Sequence, residues 1–338
     1  MMRMTIRYML WVVGLLLVAC QSPRTVTPAH LFTLPSPPTT MTREAQIDYL
    51  ATHYWDRFPF TDSVAIVKAD PAAMMRHFSQ FVALLSDKPH HRAPMDSLMA
   101  RAAKSRFALD YFVSLADGVL HDPNSPLRSS ELYIPVLEAQ LAAPYYDPYE
   151  RIYPEHALQM ARKNRLGEPA ADFRFQTRDG KESSLYALQA EHTLVLFSNP
   201  GGSMCGMLKE LIMSNAVIVE RITDSRLKVL VVYPDEDLKA WRAAEGEPQG
   251  WIDACDVEGA LRRDELYDLR AIPSIYLLDR DKRVVVKDST DPREIEAALI
   301  SVFLMPLSEK SIVFLLQMRR NILSLLSETE TNTQNNKL

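Results

Sequence analysis

Three short stretches of this chain are apolar at nearly every position: Thr193 to Ser198, Leu227 to Tyr233 and Ser274 to Leu278. Runs of that length are too short for ordinary helices, and their apolar character on both sides marks strands buried on both faces of a sheet. The segments between them carry a helical period. Leu208, Leu211, Ile212 and Ile218 fall on one side of an amphipathic helix, Trp241 lies in a short helix, and Glu258 to Leu269 reads as another. Trp251 to Cys255 suits an edge strand, and Val284 to Lys287 returns on Ser274 to Leu278 as a hairpin around Asp279-Arg280-Asp281-Lys282. Upstream, Asp172 to Phe175 alternates as a strand, Arg178 to Lys181 turns, and Ser184 to Tyr186 comes back. Glu294 to Phe303 closes the pattern as a helix. From the first buried run onward the order is β-α-β-α-β-α-β-β-α. It predicts an α/β domain over residues 167–304, with a mixed central sheet flanked by helices.

Before Gly167 the period is helical throughout, which predicts an all-α domain over residues 43–166. Ile47, Leu50, Tyr54, Trp55 and Phe58 share one face of a first helix. Asp70-Pro71 reads as an N-cap with proline at the first helical position, followed by Met74, Phe78, Phe81 and Leu85. A third helix is expected from about Met95 to Gly118, with the glycine as its C-terminal cap. The turn-rich run His121 to Pro126 breaks the pattern. Helices then follow over Ser130 to Ala143 and Asp147 to Arg165, where Pro135 and Pro154 should start, kink or divide them.

At the N-terminus, Arg3 and Arg7 precede an apolar run from Tyr8 to Val18 that is too short to span a bilayer. It ends in Leu17-Val18-Ala19-Cys20, which resembles the lipobox of bacterial lipoproteins. The resemblance implies a signal peptide over residues 1–19, cleavage before Cys20 and lipid on its thiol, since two or three acyl chains give stable anchoring. A short transmembrane anchor, or an ordinary signal peptide with a coincidental cysteine, is the alternative. Residues 20–42 are rich in Pro and Thr and read as an extended tether. Residues 305–327 form an amphipathic segment interrupted by Arg319 and Arg320, hence no membrane span, and the polar residues 328–338 read as a disordered tail.

Thirty-eight basic residues are balanced by 43 acidic ones, and no basic run is interleaved with aromatics, so nucleic acid is not an expected partner. Phosphate-cradling glycine motifs are absent, so no cofactor is implied. The histidines, His90-His91 and the separate His53, His77 and His156, lack metal-ligand spacing. Asp235-Glu236-Asp237 reads as a solvated helix start.

What remains is sulfur. The strand Leu194-Val195-Leu196-Phe197 runs into Asn199-Pro200-Gly201-Gly202-Ser203-Met204-Cys205, which opens a helix, and Ala271-Ile272-Pro273-Ser274 leads into the hairpin. This arrangement resembles thioredoxin-like proteins. More closely, the chain is similar to the thioredoxin-like lipoproteins of the Bacteroidetes, related to the TlpA and ResA group, that carry an N-terminal helical domain of unknown function. Further segments bear the similarity: His53-Tyr54-Trp55-Asp56-Arg57-Phe58, Asp122 to Arg128, Glu131 to Leu137 and Ile272 to Asp279. The resemblance implies a thioredoxin fold, a Cys-x-x-Cys motif after Gly201, and a cis-proline at Pro273 whose loop presents backbone groups to an extended protein segment. It also implies envelope localisation, with membrane attachment through the N-terminal lipid.

Here the chain departs from the pattern. Gly202 stands where the nucleophilic cysteine is implied, followed by Ser203 and Met204, while Cys205 matches the second, resolving cysteine. A thiol at a helix mouth is activated by unpaired N–H groups, whereas burial one turn inward favours the protonated, slow form. Ordinary dithiol exchange is therefore disfavoured. Two function classes follow. In one the chain is a protein-binding or scaffold relative of thiol-disulfide oxidoreductases. In the other it is a residual oxidoreductase using Cys205 with Cys255 or the thiol of a redox partner protein. Two separate buried thiols are the plain reading of Cys205 and Cys255, and Gly202 in place of Thr or Ser weighs against a peroxidase.

Overall fold

The computed structural model describes residues 32–86 and 92–301. The expectations for Cys20, the signal peptide, the amphipathic segment 305–327, the tail 328–338 and His90-His91 lie outside the described residues. No described helix is long and apolar enough to cross a membrane. The chain divides into two compact units between Leu158 and Gln159.

The first unit is helical, and side-chain caps mark where its helices begin. Thr42 caps α1 (Arg43–His53), and Asp62 caps α2 (Ser63–Lys68) by accepting from Ala65 N at 2.9 Å. The expected Asp70-Pro71 start opens α3 (Pro71–Ser86), which buries Met74, Phe78, Phe81 and Leu85. Then come α4 (Ala93–Ala102), α5 (Arg106–Ala116), a π-helical turn (Asp117–His121), α6 (Ser130–Ala142) and α7 (Pro148–Ala161). Several helix limits differ from the expectation. The first helix stops at His53, and Tyr54, Trp55 and Phe58 are buried from the turns that follow it. The expected third helix is two. Ser105 adopts an extended conformation and caps α5 by accepting from Ala108 N, which ends one helix and starts the next. Gly118 is no C-cap: it lies within the π turn, closed by Asp122 N donating to Asp117 O at 2.8 Å. Pro135 and Pro154 both sit inside helices. Around Pro135, residues Leu132 to Leu137 are all buried, so packing outweighs the cost of a missing backbone bond.

The second unit is built on a seven-stranded sheet: β1 (Arg174–Thr177), β2 (Glu182–Ser184), β3 (His192–Phe197), β4 (Leu227–Tyr233), β5 (Ile252–Cys255), β6 (Ser274–Leu278) and β7 (Val284–Ser289). The spatial order is β2-β1-β5-β4-β3-β6-β7. Strands β3, β4 and β5 run parallel, and the remaining pairs are antiparallel. Interspersed are α8 (Ser203–Ser214), α9 (Ala216–Thr223), α10 (Leu238–Ala243), α11 (Ala260–Arg263) and α12 (Pro292–Ser301). The period-2 alternation of β3 separates two cores. Val195 and Phe197 join Phe173, Tyr267 and Tyr276 on one face, while Leu194 and Leu196 join Leu208, Ile212, Ile295 and Leu299 on the other. The mixed sheet flanked by helices, preceded by a helical region, is the fold class expected from the sequence.

Three details correct the sequence reading. The strand at Ile252–Cys255 is interior, because the β1–β2 hairpin pairs with its outer edge. The helix expected to carry Leu208, Leu211, Ile212 and Ile218 on one face is broken at Asn215, which caps α9 through Ile218 N at 3.1 Å. Leu211 is exposed, because Cys205, Leu208 and Ile212 form the inward stripe of α8 and leave it on the other side. The helix expected over Glu258 to Leu269 shrinks to α11.

Candidate functional site

Strand β3 places the sulfur motif. Its last residue, Phe197, pairs with Val232 of β4 and with Ser274 of β6. The chain then turns through Ser198 to Gly202 into α8. Gly201 has φ +72°, a conformation that glycine adopts without a Cβ clash. Gly202 N donates to Asn199 O at 3.2 Å, and Gly202 itself is extended, with φ −68° and ψ 120°. No side chain caps α8. One turn in, Cys205 is only 3% exposed, and its Sγ accepts from Asn199 N at 3.4 Å. Ser203 and Met204 point outward, and Met204 is among the most exposed large apolar residues.

The Ile272–Pro273 peptide is cis, as the resemblance implied. Because Ser274 opposes Phe197 in the antiparallel register, the Pro273 loop and the Gly202–Cys205 turn leave neighbouring strands at the same end of the sheet. A Cβ built on Gly202 would lie 3.2 Å from Cys205 Sγ and 3.6 Å from Cys205 Cβ. The position that would carry a nucleophile thus abuts the remaining sulfur.

Cys255 does not join this site. It ends β5, two strands from β3, and its thiol donates to Gln176 O at 3.6 Å. Cys205 and Cys255 are both free and buried. Burial pushes the Cys255 thiol up to about 11. The unfolded chain releases this proton near the ordinary thiol value while the folded chain retains it. Stability is therefore full below about pH 8.5 and falls by about 2–3 kcal/mol by pH 11. Urea denaturation of wild type and Cys255→Ala across that range should show a steeper alkaline loss in the wild type.

The sequence reading missed what lies beside the sulfur. A cavity of about 510 Å³ runs from the Asn199–Gly202 turn past Cys205 and Lys209 to Trp241 and the 244–248 loop. Its far wall is tied together: Arg178 lies 5.0 Å over the Trp241 ring and binds Asp253 at 2.6 Å, and Trp241 Nε1 donates to Asp253 Oδ1 at 2.8 Å. Lys209 and Glu247, which also line the cavity, pair at 2.5 Å with both side chains largely buried. Ser198 Oγ and Asn199 Oδ1 are buried without a hydrogen-bond partner. The alternation Leu194, Leu196, Ser198 could have flagged the serine as an inward hydroxyl, but nothing local announces Lys209 or Glu247. Among the described residues no group of three His, Cys, Asp or Glu side chains could hold a metal ion.

Comparisons with known proteins bear on both halves. The family model described as a domain of unknown function, DUF5106, matches residues 19–164. Among solved structures, a thioredoxin-like protein from Bacteroides caccae is 34% identical, with a TM-score of 0.73 over 80% of this chain and 98% of that one. The C-terminal domain of an uncharacterized protein from Bacteroides fragilis is 37% identical over 40% of this chain and 98% of that one, with a TM-score of 0.39. The thioredoxin domain of a thiol-disulfide oxidoreductase from Bacteroides vulgatus is 19% identical over 41% and 97%, with a TM-score of 0.33. No curated protein matches.

Proposed function

Because this chain belongs to the family of Bacteroides thioredoxin-like proteins, with a DUF5106 domain ahead of the thioredoxin fold, we propose that it is an envelope-anchored binding relative of thiol-disulfide oxidoreductases that runs no dithiol cycle. The observation that carries this reading is Gly202. A dithiol cycle needs an exposed thiolate to attack and a second thiol to resolve the mixed disulfide. Gly202 contributes no sulfur, and Cys205 is buried.

An apolar stripe beside the vacant position supports a binding role. Met204, Met207 and Leu211 lie at i, i+3 and i+7 on α8 and are 60%, 55% and 53% exposed. Methionine side chains are flexible and polarizable and adapt to varied partners. The stripe is suited to an extended protein segment in the envelope, and the Pro273 loop leaves the sheet at the same end as the turn that opens α8. The lipobox-like Leu17 to Cys20 supports lipid anchoring. Incorporation of a clickable palmitate analogue should require Cys20, and labelling that survives Cys20→Ser would remove the anchor.

Thiol titration tests the central reading. In the native protein, a bulky aromatic disulfide reagent at neutral pH should label Cys205 and Cys255 at least about tenfold more slowly than in urea. The protein should also leave the rate of insulin reduction by dithiothreitol unchanged. Acceleration of insulin reduction by the wild type would establish the residual oxidoreductase instead.

A further inference from the structure

We propose that the cavity beside Cys205 is a receptor for a small zwitterionic aminothiol, taken up as its disulfide and held on Cys205 as a mixed disulfide. The proposal deepens the site described above but does not depend on protein binding there.

Size comes first. A volume of about 510 Å³ falls in the range of small-molecule pockets and is far below what a folded partner occupies. Next come the unsatisfied polar atoms. A buried hydroxyl or amide oxygen without a partner forfeits its hydration with nothing in return, and native proteins rarely leave one so. Ser198 is only 3% exposed, and it and Asn199 both line this cavity with an unpartnered buried oxygen. Asn199 Oδ1 accepts only, so it calls for an N–H donor. Ser198 Oγ can donate to a carboxylate.

The charged groups ask for the same ligand. Lys209 carries three N–H donors, and its bond to Glu247 uses one. Glu247 spends one carboxylate oxygen on that bond and keeps acceptor capacity. A ligand with one ammonium and one carboxylate answers both residues and both orphaned oxygens, and a ligand with either charge alone answers half.

Sulfur chemistry completes the match. Cys205 lines the cavity together with Gly202, whose bare backbone puts no side chain against the sulfur. In the step proposed, Cys205 loses its proton to solvent and its thiolate attacks one sulfur of a low-molecular-weight disulfide. A bond forms between Cys205 Sγ and that sulfur as the ligand's own S–S bond breaks. The departing aminothiolate takes up a proton. Cys205 is oxidised, and the small disulfide, the oxidant, is reduced to one bound half and one free thiol.

The test uses the full-length protein incubated separately with cystine, with cystamine and with neutral bis(2-hydroxyethyl) disulfide at equal concentration, followed by intact mass and peptide mapping. The expected result is one half-cystine on Cys205 and none on Cys255. Cystine should react about tenfold faster than either other disulfide, the scale of one charge-assisted hydrogen bond. Lys209→Met and Ser198→Ala should each erode that preference, and Ser198→Ala, which removes only a hydroxyl, keeps the test valid if Lys209→Met fails to fold. Two results would overturn the proposal: Cys205 accepting cystine only after urea denaturation, or all three disulfides reacting at equal rates. Either leaves the protein-binding reading standing, whereas insulin turnover by the wild type overturns that reading and leaves the pocket intact.

Discussion

Gly202→Cys alone is expected to turn the protein into a disulfide reductase. The backbone at Gly202 is extended, with φ −68° and ψ 120°, so an L-residue fits without strain. The new Cβ would stand 3.6 Å from Cys205 Cβ, inside the 3.5–4.5 Å window of natural disulfides. The tightest contacts are Cys205 Sγ at 3.2 Å and Asn199 O at 3.3 Å, which ask for shifts of a few tenths of an ångström. The introduced thiol would occupy the N-cap of α8, facing backbone N–H groups that no side chain satisfies. The wild type offers no thiol here, whereas a fall of about two units in pKa leaves roughly three quarters of the introduced one ionised at about pH 7, about 25-fold more than an ordinary thiol, of which the loss of nucleophilicity takes back about eightfold. Insulin reduction should therefore rise at least about tenfold above the wild-type background, and non-reducing peptide mapping should find the 202–205 disulfide. If the disulfide forms but insulin is not reduced, the end of the sheet where β3 and β6 meet does not admit a substrate. If the two thiols never pair, the geometry described for the turn is wrong.

The second large effect lies in the helical unit. Phe112 is fully buried, and its ring centroid lies 5.1 Å from both Trp55 and Phe58 and 5.6 Å from Phe60. The first two contacts are edge-to-face, at 88° and 72°. Phe112→Ala removes this hub from a closed packing of rings. Truncation of a buried phenylalanine costs about 3–5 kcal/mol, and each well-oriented aromatic pair adds about 0.5–1.5 kcal/mol. The helical unit should therefore unfold at far lower urea than in wild type, seen as an early far-ultraviolet circular dichroism transition. A loss below about 1 kcal/mol would mean that the cluster repacks around the gap.

Much of this architecture was legible because it rests on strong periodic signals. Leu227 to Tyr233 reads as a strand with its observed limits, and the turn at Asp279 to Lys282 joins β6 to β7 as expected. Asp70-Pro71 carried its own start signal. Failures cluster where a single capping residue overrides a continuing period. Ser105 splits one expected helix and Asn215 another, because a short side chain that satisfies a backbone N–H competes with helix continuation. Sheet position was not legible for Ile252–Cys255, since periodicity reports burial and not which strand lies alongside. At the site, the Gly202 vacancy and Pro273 could be read from local sequence. Lys209, Glu247, Arg178 and Asp253 could not, because they meet only through non-local folding of α8, the 244–248 loop and β5.

The antiparallel pairing of β3 with β6 has a consequence for how the chain is made. Thr193 meets Leu278 and Phe197 meets Ser274, so one flank of the central strand waits for partners some eighty residues downstream. While a nascent chain lengthens, that flank offers bare backbone donors and acceptors on a strand that is apolar from Leu194 to Phe197, the kind of surface on which unfinished polypeptides stick to one another.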